Sequence, residues 1–192
     1  MKIIAFDTET GGLDPKDASL LTAYFEVVDN NLNTIDSLFL HVKPDNGLFK
    51  SNPQAMAVNK INLEDHGKAA ITYSEAKTKL RAFISKHGGK YESALIPLAH
   101  NIDFDLGFVN THLLDKRTWE NYVSYRKLDT ANIANFLKLS GLLPEVSKFA
   151  LGTIAKAINV EYDERAHTAD YDVKVMLNVL REFKNRVNPN SK

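Results

Sequence analysis

Asp7 and Glu9 stand one residue apart in Ala-Phe-Asp-Thr-Glu-Thr-Gly-Gly-Leu-Asp (residues 5–14), where the apolar run Lys2–Phe6 ends. Positions i and i+2 of a strand point to the same face, so the two carboxylates are neighbours. Like charges that close repel unless a proton or a cation lies between them. The pair alone allows two readings, a solvated strand end or half of a metal site. Acids with this spacing also occur at Asp103/Asp105, Glu161/Asp163 and Asp170/Asp172. Those lie near expected helix starts, where acids cap free amides and face the helix dipole.

Combination favours the metal. Asp7 and Glu9 end a strand at the edge where an α/β sheet builds its site. Asp105 follows a second buried strand, in His100-Asn101-Ile102-Asp103-Phe104-Asp105. Asp172 opens the last helical stripe, and its neighbours on that face, Met176 and Leu180, are apolar. A charge on an inward face needs a partner. Four carboxylates from three segments suit hard divalent cations. His167, five residues before Asp172, falls on the loop entering the helix, where it can swing over such ions.

The elements that must position these residues follow from the hydrophobic pattern. Residues 1–6 read as a buried strand, and Leu20–Val28 and Ile35–Val42 as a hairpin around Asp29–Asn33. Residues 44–70, with Pro44, Gly47, Pro53 and Gly67, read as loop with one short helix. Thr72-Tyr-Ser-Glu75 has capping-box spacing before a helix through Ala76, Leu80, Phe83 and Ile84, stopped by Gly88-Gly89. Ala94–Ala99 reads as a further strand. Helices follow along Leu106, Val109 and Leu113, over Thr130–Leu139, along Leu151–Ile158, and from Ala169 through Phe183. A β-meander followed by alternating helix and strand is an α/β layout with a mixed sheet. One domain over residues 1–187 and a short flexible tail at 188–192 are expected.

Composition bounds the function. The 192 residues carry 24 basic and 24 acidic side chains, 44% hydrophobic residues and no cysteine. Balanced charge leaves no basic field for gripping a long polyanion, so nucleic-acid contact should be local. Disulfides, zinc thiolates and thiol catalysis are excluded. The N-terminal apolar run is too short for a signal peptide or a membrane span, so no membrane is expected and the location expected is cytoplasmic or on the nucleoid. No G-x-x-x-x-G-K-[ST] phosphate loop occurs.

The strings Phe-Asp-Thr-Glu-Thr-Gly-Gly-Leu (6–13), His-Asn-Ile-Asp-Phe-Asp (100–105) and His-Thr-Ala-Asp-Tyr-Asp (167–172) occur in this order. They resemble the three motifs of the DnaQ-like (DEDDh) 3′–5′ exonucleases, which include the proofreading subunit of bacterial replicative polymerase. Leu128-Asp129-Thr130 is similar to that family's strand-to-helix step, and the likeness spans roughly residues 2–182. The register selects Asp105 and Asp172 and leaves Asp103 and Asp170 as surface acids. The resemblance implies a ribonuclease H-like three-layer fold with a five-stranded mixed sheet between helices. It implies two Mg2+ or Mn2+ ions: Asp7 bridging both, Glu9 and Asp172 completing one, Asp105 holding the other, and His167 as general base.

By the same resemblance, Thr10, Gly11, Gly12 and Leu13 meet the 3′ end, with Leu13 as an apolar wedge. Gly11-Gly12 reads equally as a plain tight turn. Phe104 could stack on a base or fill the core, and His100 and Asn101 could line the site or end the strand. The expected substrate is a single-stranded or frayed DNA 3′ end, releasing nucleoside 5′-monophosphates, with a DNA polymerase or other replication protein as partner. An exoribonuclease similar to RNase T or oligoribonuclease shares the catalytic set and stays open. A catalytically idle nucleic-acid-binding subunit is disfavoured, because all five site residues are present.

Overall fold

The computed structural model describes residues 1–163 and 167–188. The first strand, β1 (Ile3–Thr10), is longer than its apolar run. Its antiparallel ladder to β2 (Leu20–Val28) runs from Ile3 opposite Val28 to Glu9 opposite Thr22, with a register shift between Glu9 and Thr10. Asp7 and Glu9 therefore lie inside the strand, which corrects the end expected at Phe6. Backbone pairing continues past the point where the side chains turn polar.

β2 is buried along almost its whole length, as a strand covered on both faces should be. It pairs on its other side with β3 (Thr34–Lys43), whose outer half is exposed. The two-residue strand β4 (Ile71–Thr72) lies parallel to the end of β3. β5 (Ile96–Ala99) runs parallel to β1, and β6 (Leu128–Asp129) parallel to β5. The sheet thus has six strands, in the order β4-β3-β2-β1-β5-β6. The extra strand over the expected five is β4. Two residues show no alternation, and Thr72 carries the helix signal instead.

The capping box is present: Thr72 caps α3 (Tyr73–His87), and the side chain of Glu75 returns to the Thr72 amide. Residues 44–70 hold two short helices where one was expected, α1 (Pro53–Asn59) and α2 (Leu63–Ala69). Asn52 and Asn62 accept their first free amides, and Lys60 ends α1 in the left-handed region.

Alternation along β1 divides the core. Ile4 and Phe6 pack with Leu80 and Ile84 of α3 and with Phe108 and Val109 of α4 (Ile102–His112). Ile3 and Ala5 face the other way, against Val173, Met176 and Leu177 of α8 (Ala169–Val187). The sheet is thus sandwiched between α3/α4 and α8. The short α5 (Lys116–Trp119) adds Trp119 to the first layer. α6 (Thr130–Leu139) and α7 (Leu151–Ala157) form a third cluster against the outer side of α8, through Leu137, Ile154 and Val179. The expected tail lies, beyond Asn188, outside the described residues.

Candidate active site

Asp7 and Glu9 share the α8 face of β1, and the first turn of α8 brings Asp172 to them. One carboxylate oxygen from each of the three lies within 4.8 Å of the other two. α8 delivers Asp172 there because Val173, Met176 and Leu177 pack on the sheet and fix the helix rotation. Its Oδ1 is buried and has no hydrogen-bond partner among the described residues. A buried carboxylate oxygen without a donor, between two other carboxylates, is a costly arrangement for the protein alone. Three carboxylate oxygens this close are an ordinary donor set for a hard divalent ion.

Asp105 comes from the opposite layer. It lies in the first turn of α4 and is 2% exposed. Its Oδ1 accepts the Thr8 amide at 3.0 Å and the Thr8 hydroxyl at 2.6 Å. Asp105 is thus tied to the other face of the same strand and stands outside the three-carboxylate cluster, though its charge acts strongly on Asp7.

Electrostatics reports the crowding. Burial holds the Asp7 carboxyl well above the usual range, and the charges of Asp105, Asp172 and Glu9 add to the shift. Burial pushes Glu9 up to about 8, with Asp172 and Asp105 adding to it. Asp172 rises to about 6, again mainly by burial, while the neighbouring His167 opposes the rise. Burial lifts Asp105 to about 7 against the two Thr8 hydrogen bonds. A cation in the cluster would favour the charged form of Asp7, Glu9 and Asp172.

His167 is half-buried and lines, with Glu9, Thr22, Phe39, His41 and Ile61, a cavity of about 300 Å3. Phe39 and His41 stack there at 4.5 Å. A larger cavity, about 750 Å3, lies by Tyr91 and Tyr125 and holds none of the acids. Asp103 is exposed and ion-paired with Lys127, as a surface acid should be. Asp170 departs from that reading. It is half-buried, because α8 starts over the sheet, and its charge reaches Asp172, Tyr24 and His41.

The other named residues take varied positions. Leu13 is 82% exposed. The Thr10 hydroxyl donates to the Gly12 carbonyl at 2.7 Å, and the Thr10 carbonyl accepts from Asn59. A Cβ on Gly11 would stand 2.3 Å from the Lys50 carbonyl oxygen, and one on Gly12 2.9 Å from the Asn52 side chain. The space left by both glycines is taken by residues 50–52. His100 joins two elements: Nε2 donates to the Phe149 carbonyl at 2.9 Å, so Nδ1 accepts from the Thr130 hydroxyl at 2.8 Å. Asn101 is left-handed (φ 61°) and caps α4. Phe104 packs against Phe108 at 5.1 Å.

Sequence reasoning passed over Thr8 and gave Asp129 no role of its own. Asp129 caps α6 and also accepts the amides of Asn101 and Ile102 at 3.2 Å. An acid directly before a helix start is a readable cap signal. Thr8 carried none, since strand alternation points it away from the acids beside it.

A mixed sheet that brings three partly buried acids together beside a histidine-lined cavity is an arrangement that a metal-dependent hydrolase could use. Residues 4–180 match the RNase T family, described as Exonuclease, and the chain belongs to that family. Exonucleases of this kind depend on divalent metal, and Asp7, Glu9 and Asp172 form an acidic cluster that could hold such an ion. The PolC-type DNA polymerase III of Mycoplasmopsis pulmonis is 27% identical over 179 residues, 92% of this chain but 11% of that polymerase. The chain therefore spans about a ninth of the polymerases it matches. Ribonuclease T of Shewanella denitrificans is 25% identical over 194 residues, covering 95% of this chain and 80% of that enzyme. The fold is that of exonuclease I, at TM-score 0.77 and 18% identity to the E. coli enzyme in complex with a dT13 oligonucleotide. That match covers 96% of this chain and 41% of the other.

Proposed function

We propose that this exonuclease removes nucleotides from the 3′ end of DNA, preferring single-stranded or frayed ends, and releases nucleoside 5′-monophosphates. The convergence of Asp7, Glu9 and Asp172, with Asp172 Oδ1 left without a donor among the described residues, carries this reading. Asp7, Glu9 and Asp172 would hold one Mg2+ or Mn2+ ion, and Asp7 with Asp105 the other. When bound there, such ions would supply the activation of a water and the stabilisation of the leaving 3′ oxygen. His167 takes the proton of the attacking water on a ring nitrogen, as a general base.

The aromatic cavity beside Glu9 offers room for the terminal nucleoside, and exposed Leu13 offers an apolar edge against the bases. Balanced net charge agrees with a grip limited to the last few nucleotides. The PolC relatives favour DNA and a replicative polymerase as partner, and the cytoplasm or nucleoid is the location proposed. The ribonuclease T relatives favour an RNA 3′ end as the second reading. Among the described residues no helix is long and apolar enough to cross a membrane.

Matched DNA and RNA oligonucleotides labelled at either end, incubated with Mg2+, Mn2+ or EDTA, test the reading. Faster loss from the DNA 3′ end, abolished by EDTA, is expected. Faster loss from RNA would transfer the assignment to the exoribonucleases, and loss from the 5′ end would sink it.

A further inference from the structure

Asp105 and Asp172 approach Asp7 from opposite faces of the sheet, and they are held in opposite ways. Asp172 keeps Oδ1 without a hydrogen-bond partner among the described residues. Asp105 has Oδ1 taken twice, by the Thr8 amide and the Thr8 hydroxyl. Only its Oδ2 is left for a cation, so Asp105 can serve as a one-oxygen ligand and not as a chelating one. Thr8 can do this because alternation turns it to the α4 face, while Asp7 and Glu9 on either side face α8. At 6% exposure it is out of reach of competing solvent.

We propose that Thr8 is a positioning residue that acts through Asp105 and makes the two ion positions unequal. The stronger is at Asp7, Glu9 and Asp172, and the weaker at Asp7 and Asp105. This rests on the two-ion reading above. Hydrogen-bond partners of metal-ligating groups typically change metal affinity by 10–100-fold when removed. The Thr8 hydroxyl is such a partner, and its short bond to a carboxylate is of the strong, charge-assisted kind. The Thr8 amide remains in any variant, so the hydroxyl can be tested alone.

Titration of Mn2+ into the full chain, by calorimetry and by counting free Mn2+ from its electron paramagnetic resonance signal, gives the test. The wild-type chain should show two affinity classes. Thr8→Val should weaken the lower class by about 10–100-fold and leave the higher class unchanged, and Thr8→Ser should restore it. Asp105→Asn should remove the lower class, and Thr8→Val added to it should cost nothing more. Should the branched valine prevent folding, Thr8→Ala makes the same comparison. Two wild-type classes that Thr8→Val leaves intact, or weakens together, overturn the role of Thr8 and leave the nuclease reading standing. A wild-type chain that binds no Mn2+ overturns that reading as well.

Discussion

At the scale of single residues, the site concentrates carboxylates whose burial opposes their ionisation, and each carries a different share of the chemistry. Asp172→Ala should abolish hydrolysis. It should leave thermal stability unchanged or slightly raised, because it removes a buried oxygen that no donor among the described residues satisfies. A melting curve beside a gel assay checks both halves, and retained activity would remove Asp172 from the site. His167→Ala should lower kcat by roughly 10²–10⁴-fold, the usual worth of a general base, while Mn2+ titration stays as in the wild type. If metal affinity disappears instead, His167 is a ligand and not the base. Leu13, exposed at the end of the glycine turn, has no packing to lose. Leu13→Ala should therefore raise KM on oligonucleotides without moving the melting temperature.

At the scale of elements, the turn after β1 is built by packing more than by conformational freedom. Neither Gly11 nor Gly12 has a positive φ; each is needed because residues 50–52 fill the place of its Cβ. The Gly11 carbonyl also accepts the Asn52 amide at 2.8 Å, which ties that segment to the site strand. Gly11→Ala drives a methyl against a backbone carbonyl and should cost about 1–3 kcal/mol by overpacking, read from urea unfolding. Wild-type stability would show that the 50–52 segment yields freely.

Much of the element pattern was legible. Leu20–Val28 and Thr130–Leu139 stand where hydrophobic periodicity places them, and Thr72 caps its helix as its spacing to Glu75 predicts. β4 was not legible, since two residues carry no period. Neither was the second helix before it, whose signal is a lone asparagine cap. For the acids, spacing indicated which side chains share a strand face. It could not show that Asp105 would be caught by Thr8 on the other side, because that contact joins positions 97 residues apart. The same holds for the aromatic cavity, whose walls come from β3 and the segment around α1 and α2.

At the scale of the whole molecule, the raised carboxyl groups couple stability to pH and to metal. With Glu9 near 8, Asp105 near 7 and Asp172 near 6 in the folded chain, the folded state holds protons that the unfolded state releases from about pH 4 upward. Protons bound in excess by the folded state make stability fall as pH rises. The metal-free protein should therefore lose melting temperature steadily between pH 5 and pH 8.5. Mg2+ or Mn2+ should raise it more at pH 8 than at pH 5.5, since the ion displaces those protons. At a hundredfold excess over Kd the gain is about 2.7 kcal/mol, or roughly 5–10 °C for a chain of this size. A metal effect independent of pH would contradict the protonated cluster.

The two-sided supply of ligands has a mechanical consequence. One acid arrives on α4 and another on α8, helices that pack on opposite faces of the sheet. Two ions, one held by Asp172 and the other by Asp105 and both by Asp7, would act together as a rivet through all three layers. Amide exchange along α4 and α8 should then slow together when the ions enter, although the two helices pack on opposite faces.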